Sequence, residues 1–153
     1  MDRSSNSFLL LPLDVSELLF RLAIALLVGA IVGFEREVKD KSAGLRTHML
    51  VSLGAAFFVL IPIQLEVAHQ SVEALSRVLQ GIIAGIGFVG GGVILRNQTR
   101  AGNTEVKGLT TASAIWVSCG LGVAAGCGLW IMALVGAVLS LMTLAVIKPL
   151  ERN

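Results

Sequence analysis

Long apolar runs alternate with short charged ones along this chain. Residues 17–34, 44–65, 78–95, 108–125 and 129–147 are nearly free of charge. Each run is close to the roughly 20 residues that a helix needs to cross a bilayer. Between them lie the cluster Glu35-Arg36-Glu37-Val38-Lys39-Asp40-Lys41, a polar loop holding Glu66, His69, Glu73 and Arg77, and the stretch from Arg96 to Lys107. A Gly126-Cys127-Gly128 turn separates the last two runs. The pattern predicts an all-α membrane protein, a bundle of about five transmembrane helices. A short outer segment at 1–16 precedes the transmembrane domain at 17–147, and a tail at 148–153 follows it. Residues 1–16 have neither the basic start nor the small-residue cleavage site of a secretory signal.

Basic residues set the expected orientation. Arg36, Lys39, Lys41, Arg46, Arg96, Arg100, Lys107, Lys148 and Arg152 fall on one set of alternate connections, whereas Arg3, Arg21 and Arg77 fall on the other. Loops rich in Lys and Arg stay in the cytoplasm. The N-terminus is therefore expected outside and the C-terminus inside.

The third run contains Gly85, Gly87 and Gly90 in the spacing GxGxxG, with Glu105 twenty residues after Gly85. In a dinucleotide-binding fold those glycines sit in a turn between a strand and a helix. Here the run from Val78 to Leu95 is apolar throughout except for Gln80, so that context is missing. The glycines are expected instead to form a helix surface without side chains, where another backbone approaches closely or the helix bends. In the first run Ala25, Gly29 and Gly33 recur every fourth position, the small-xxx-small face of packed membrane helices.

Composition agrees with a membrane setting: 14% of residues are charged, against about 25% in soluble domains. A net charge of +2 gives no support to a nucleic-acid partner. Cys119 and Cys127, eight residues apart on one helix, would be separated by about 12 Å along its axis, too far for a disulfide.

The spans offer little ionic chemistry. Arg21 stands four residues after Glu17, near enough to pair with it and near enough to the outer end to snorkel. His48 lies about a turn into the second run, as an interfacial hydrogen-bonding residue or a proton sensor. Glu35, Glu37 and Glu105 are the carboxylates open to a Mg²⁺ ion, and all compete with nearby Lys and Arg. No catalytic set appears at a workable spacing, so no enzyme activity, cofactor or resident metal is expected. Gly44-Leu45-Arg46-Thr47 and Gly108-Leu109-Thr110-Thr111 open two spans on the same side. Helix starts present unpaired N–H groups that attract an anion or a carboxylate such as Glu35. Alternatively the threonines cap their own helices and the basic residues meet lipid headgroups.

Four blocks carry a family resemblance: GFERE at 33–37, AGLRTHMLVSLGA at 43–55, GIGFVGGGVI at 85–94 and VKGLTTASAIW at 106–116. In this order the chain resembles the bacterial MgtC/SapB family over roughly residues 18–151. The resemblance implies a multi-pass inner-membrane protein with a periplasmic N-terminus. It also implies a role in adaptation to low Mg²⁺ and in survival inside macrophages, through interference with the F-type ATP synthase. The familiar virulence member has a soluble domain after its spans, and this sequence, ending at Asn153, is expected to correspond to the membrane core. From the family blocks come the candidate functional residues Glu35, Arg36, Gly44, Arg46 and Thr47, then Gly87, Gly90, Gly92, Gly108, Thr110, Thr111 and Trp116. The preferred expectation is a non-enzymatic regulator in the lipid bilayer. Its glycine-faced third helix would pack against its own bundle, a second copy or a partner subunit. A transporter or channel for Mg²⁺ or another ion is the rival class, and an anion or headgroup site at the paired helix starts a third.

Overall fold

A computed structural model describes residues 13–65, 72–97 and 107–150 of the chain. The elements are α1 (Val15–Val38), α2 (Leu45–Gln64), α3 (Val72–Asn97), α4 (Leu109–Gly126) and α5 (Trp130–Leu150). The five expected helices are there, and the described residues hold no strand. Four of the helices, α1, α2, α3 and α4, are long and apolar enough to cross a membrane, and the apolar stretch of α5, Trp130–Ala145, is shorter.

Local chemistry explains the helix ends. Asp14 caps α1 by accepting the Glu17 amide at 2.8 Å, and that bond holds its carboxyl below the usual carboxylate range. At the other end Asp40 adopts a left-handed φ of 50°. The Lys41 amide then reaches back to the Arg36 carbonyl, and the Asp40 amide to that of Glu37. This is the Schellman closure, made here without glycine. Gly128 at φ 80° closes α4 in the same way, with Leu129 bonding Ala124 and Gly128 bonding Ala125.

Two boundaries differ from expectation. The charge cluster at 35–41 does not end the first helix: α1 continues to Val38, because Glu35 pairs with Arg36 and Lys39 and Arg36 reaches Thr111. Glu73 and Arg77 belong to α3 rather than to a loop, paired across one turn at 3.3 Å. The rest of that expected loop, with Glu66 and His69, lies outside the described residues, as do residues 1–12 and 98–106.

The core is the seam among α1, α2 and α4, with α5 against α1 and α4, while α3 rests on α4 and more lightly on α2. Small residues make the seam possible. A Cβ on Gly29 would meet the His48 carbonyl oxygen at 2.7 Å, and one on Gly33 would meet the Leu45 Cα at 2.9 Å. From the other side, a Cβ on Gly122 would stand 2.7 Å from the Ser52 Cα, and one on Gly126 would stand 2.9 Å from the Ala56 Cα. Backbone therefore packs on backbone in both pairs. The expected small-residue face of the first helix is real, and its counterpart is Gly122 and Gly126.

The glycines of α3 behave differently. Gly81, Gly85, Gly87, Gly91 and Gly92 have nothing within 4 Å of an added Cβ, and only Gly90 has a neighbour, the Ala112 Cβ at 3.6 Å. The expectation that this helix packs closely into its own bundle is thus corrected. Packing by glycine occurs on α1 and α4, where the facing elements also present small side chains or bare backbone.

Gly122→Ala and Gly120→Ala separate packing from helix propensity. The first forces a methyl into the Ser52 backbone and is expected to lower stability by about 1–3 kcal/mol. The second, with open space around it, should be neutral or stabilising by up to about 1 kcal/mol. Thermal unfolding of both variants in lipid nanodiscs checks the contrast.

Candidate functional site

Each polar group inside the bundle answers to a particular helix register. On α1 the buried stripe Ala25, Gly29, Gly33 continues to Arg36, and the neighbouring stripe Val28, Val32 continues to Glu35. On α4, Thr111 and Ser118 are seven residues apart and both buried, so they share one face. On α2, His48 and Ser52 are one turn apart and wholly buried.

The three helices bring these side chains into one polar row. At its outermost level Arg36, only 4% exposed, donates to Thr111 Oγ1 at 3.4 Å. It also lies 3.5 Å from Glu35. Lys39 pairs with Glu35 one turn on and donates to the Leu144 carbonyl of α5 at 3.2 Å. These contacts to Glu35 are ion pairs without hydrogen-bond alignment, so neither carboxylate oxygen has a directed donor. Deeper in, His48 Nδ1 and Ser118 Oγ are 2.9 Å apart. Ser52 then donates to the Ala25 carbonyl at 2.7 Å.

Beyond Ser52 the core is apolar, with Ala25, Ala56, Val59 and Ala125 fully buried. At the far end Arg21, 2% exposed, pairs with Glu17 at 2.8 Å and donates to the Gly126 carbonyl at 3.1 Å. Pairing with Glu17 was expected; snorkelling was not what Arg21 does. Its guanidinium tucks under Gly128, where an added Cβ would meet it at 2.9 Å.

The candidates from the family blocks fall into three places. Glu35, Arg36 and Thr111 come together in the polar row. Gly44 lies against the Glu37 side chain, whose carboxylate accepts the Leu45 amide at 2.9 Å. The carboxylate at this helix start is therefore Glu37, not Glu35. Thr47 is half-buried, while Arg46 is exposed with no ion pair among the described residues; Glu35 pairs with Arg36 and Lys39 instead. Gly108 takes φ 96° ahead of α4, with Thr110 exposed beside it. Gly87 and Gly92 sit on the open face of α3 and Gly90 on its contact with α4. Trp116 points away from the core, 53% exposed.

His48 has no exposed surface, and its hydrogen bond is made inside the bundle, to Ser118. Ser52, Ser118, Gly122 and Gly126 were missed by sequence reasoning. Their spacing carried a usable signal, since Gly122 and Gly126 repeat the four-residue step of Gly29 and Gly33, and Ser118 stands seven residues after Thr111. Among the described residues no group of three His, Cys, Asp or Glu could hold a metal ion. Both cysteines are free thiols.

A second feature lies beside the row. Between α2 and α3 opens a cleft of about 880 Å³ with an almost wholly apolar lining that includes Gly54, Phe58, Gly81, Gly85 and Ile86.

An all-helical bundle with membrane-length apolar helices and charges buried only near its ends is a multi-pass membrane protein. The sequence matches the MgtC family over residues 22–153, and the chain belongs to that family. It is 46% identical over 138 residues to protein SrpB of Synechococcus elongatus, covering 87% of this chain and 76% of SrpB. It is 33% identical over 141 residues to the putative magnesium transporter YhiD of Escherichia coli K12, covering 88% of this chain and 62% of YhiD. Protein MgtC of Salmonella typhimurium is 38% identical over 123 residues, 80% of this chain and 49% of MgtC. The chain thus spans three-quarters of SrpB but only about half to two-thirds of the other two. No solved structure matches it.

Glu35→Gln leaves Arg36 buried without its counter-charge and is expected to destabilise the bundle by about 3 kcal/mol. Arg46→Gln, at an exposed position with no ion pair among the described residues, should stay within about 0.5 kcal/mol of the parent. Denaturation of the two variants in the same detergent tests the assignment.

Proposed function

We propose that this protein is a non-enzymatic regulator of the bacterial inner membrane, with its N-terminus in the periplasm and its C-terminus in the cytoplasm. It acts in adaptation to low Mg²⁺ by binding another membrane protein, and so alters membrane energetics. Family resemblance supplies the F-type ATP synthase as the candidate partner, and the magnesium link agrees with the name of the relative YhiD.

The observation that carries this reading is the open face of α3. A helix long and apolar enough to span the bilayer has none of its central residues buried, and of its glycines only Gly90 comes near another described residue, Ala112 of α4. Without a hydrophobic force between helices in lipid, association relies on close backbone approach across small residues, and such a surface suits a helix of another subunit. The charges of the polar row pair among themselves and stop at an apolar level, which favours a regulator over an ion conduit. The positive-inside rule supports the orientation, because Arg36, Lys39, Lys41, Arg46 and Lys107 gather at the end where α1 stops and α2 and α4 start.

Gly87→Leu provides the test, since its side chain enters open space and the fold should keep its thermal stability. Expected outcomes are loss of ATP synthase co-purification and loss of protein-dependent growth at limiting Mg²⁺. Undiminished capture and growth in both Gly87→Leu and Gly91→Leu would sink the proposal. So would Mg²⁺ or proton flux into liposomes that requires the purified protein, an outcome that would make it a transporter.

A further inference from the structure

Four buried polar atoms in the α1–α2–α4 region make no hydrogen bond among the described residues: Glu35 Oε1 and Oε2, Arg36 Nε, and His48 Nε2. Buried polar atoms without a hydrogen bond are uncommon, and for the Glu35 oxygens the ion pairs to Lys39 and Arg36 leave hydrogen-bonding capacity over. These four belong to three side chains of one polar row. Glu35 and Arg36 are successive residues of α1 at the outer level of that row. His48 lies just beneath them, its Cβ 3.0 Å from the position a Cβ on Gly33 would take.

The chemistry of the four atoms selects what could satisfy them. The Glu35 oxygens only accept and Arg36 Nε only donates. His48 Nε2 does one or the other, according to which tautomer the Ser118 hydroxyl favours. A cation would face Arg36 and Lys39, and an anion would face Glu35. Water donates and accepts, and it is the usual occupant of buried polar sites, making about three hydrogen bonds.

We propose that this region binds ordered water in a blind inlet, entered beside Glu35 and Lys39 and ending above Ser52. The entrance follows from Lys39, which is 31% exposed and pairs with the buried Glu35. The end follows from Ser52, whose hydroxyl is already committed to the Ala25 carbonyl, and from the apolar level below it. The charged groups facing His48 are Glu35 and Arg36 of α1. From α4 it meets the neutral hydroxyl of Ser118. Exchangeable protons thereby gain access to an imidazole inside the bundle, while the apolar half keeps the bilayer barrier closed. This inference is independent of what binds α3.

Water-to-protein polarisation transfer in solid-state NMR tests it directly. The sequence has two histidines, so isotope-labelled His69→Gln protein in lipid vesicles reports His48 alone. Transfer from water to the His48 ring nitrogens is expected to be several-fold faster than to the methyls of Val59, fully buried three turns further along α2. Equally slow transfer to both would show a dry interior and overturn the inlet. Equally fast transfer to both would show a path past the apolar level, and would overturn its blind end.

Discussion

Everything in this bundle depends on how closely α1, α2 and α4 approach one another. In lipid the surroundings are as apolar as the helices, so burying a leucine against a leucine gains little. Association must come from dense van der Waals contact and from polar groups that find partners. Gly29 and Gly33 on one side, and Gly122 and Gly126 on the other, let the backbone of α2 lie against two helices at once. Any Cβ at those positions would meet backbone, which cannot move aside as a flexible side chain does.

That approach also makes the buried polar groups tenable. Arg36 reaches Thr111, His48 reaches Ser118, and Ser52 reaches the Ala25 carbonyl because the helices are near enough for short side chains to cross between them. A serine hydroxyl extends only slightly beyond its own backbone. With wider spacing these hydroxyls would turn back on their own helices, as Ser113, Ser140 and Thr143 do here. Arg21 applies the same logic at the opposite end, where the absence of a side chain on Gly128 leaves room for its guanidinium. Ionic contacts thus sit at both ends of the core, with apolar residues between them.

Helix α3 stands apart from this arrangement. It has the most glycine and the least intramolecular contact, and the apolar cleft separates it from α2 along much of its length. The same residue type therefore serves two ends: on α1 and α4 it admits a neighbouring helix of the chain, and on α3 it leaves a surface free. Membership in the MgtC family covers both parts, since the match runs from residue 22 to the end of the chain.

Hydrophobic patterning by itself determined the helical class, the number of helices and most of their limits, because the length of an apolar run is a property of contiguous residues. It also marked the packing face of α1 through Ala25, Gly29 and Gly33, and the Glu17–Arg21 pair, since both follow from spacing along a single helix. Which glycines are buried could not be read this way: α3 and α4 both carry them, and only the position of a neighbouring helix tells a contact from an open face. The same holds for His48: its distance from the helix start is legible in the sequence, but its complete burial is set by the helices on either side. Glu35 and Arg36 looked like the beginning of a loop because charges are excluded from hydrocarbon. Tertiary structure decided otherwise: partners on α1 and α4 supply what lipid cannot, and a charged turn becomes part of the core.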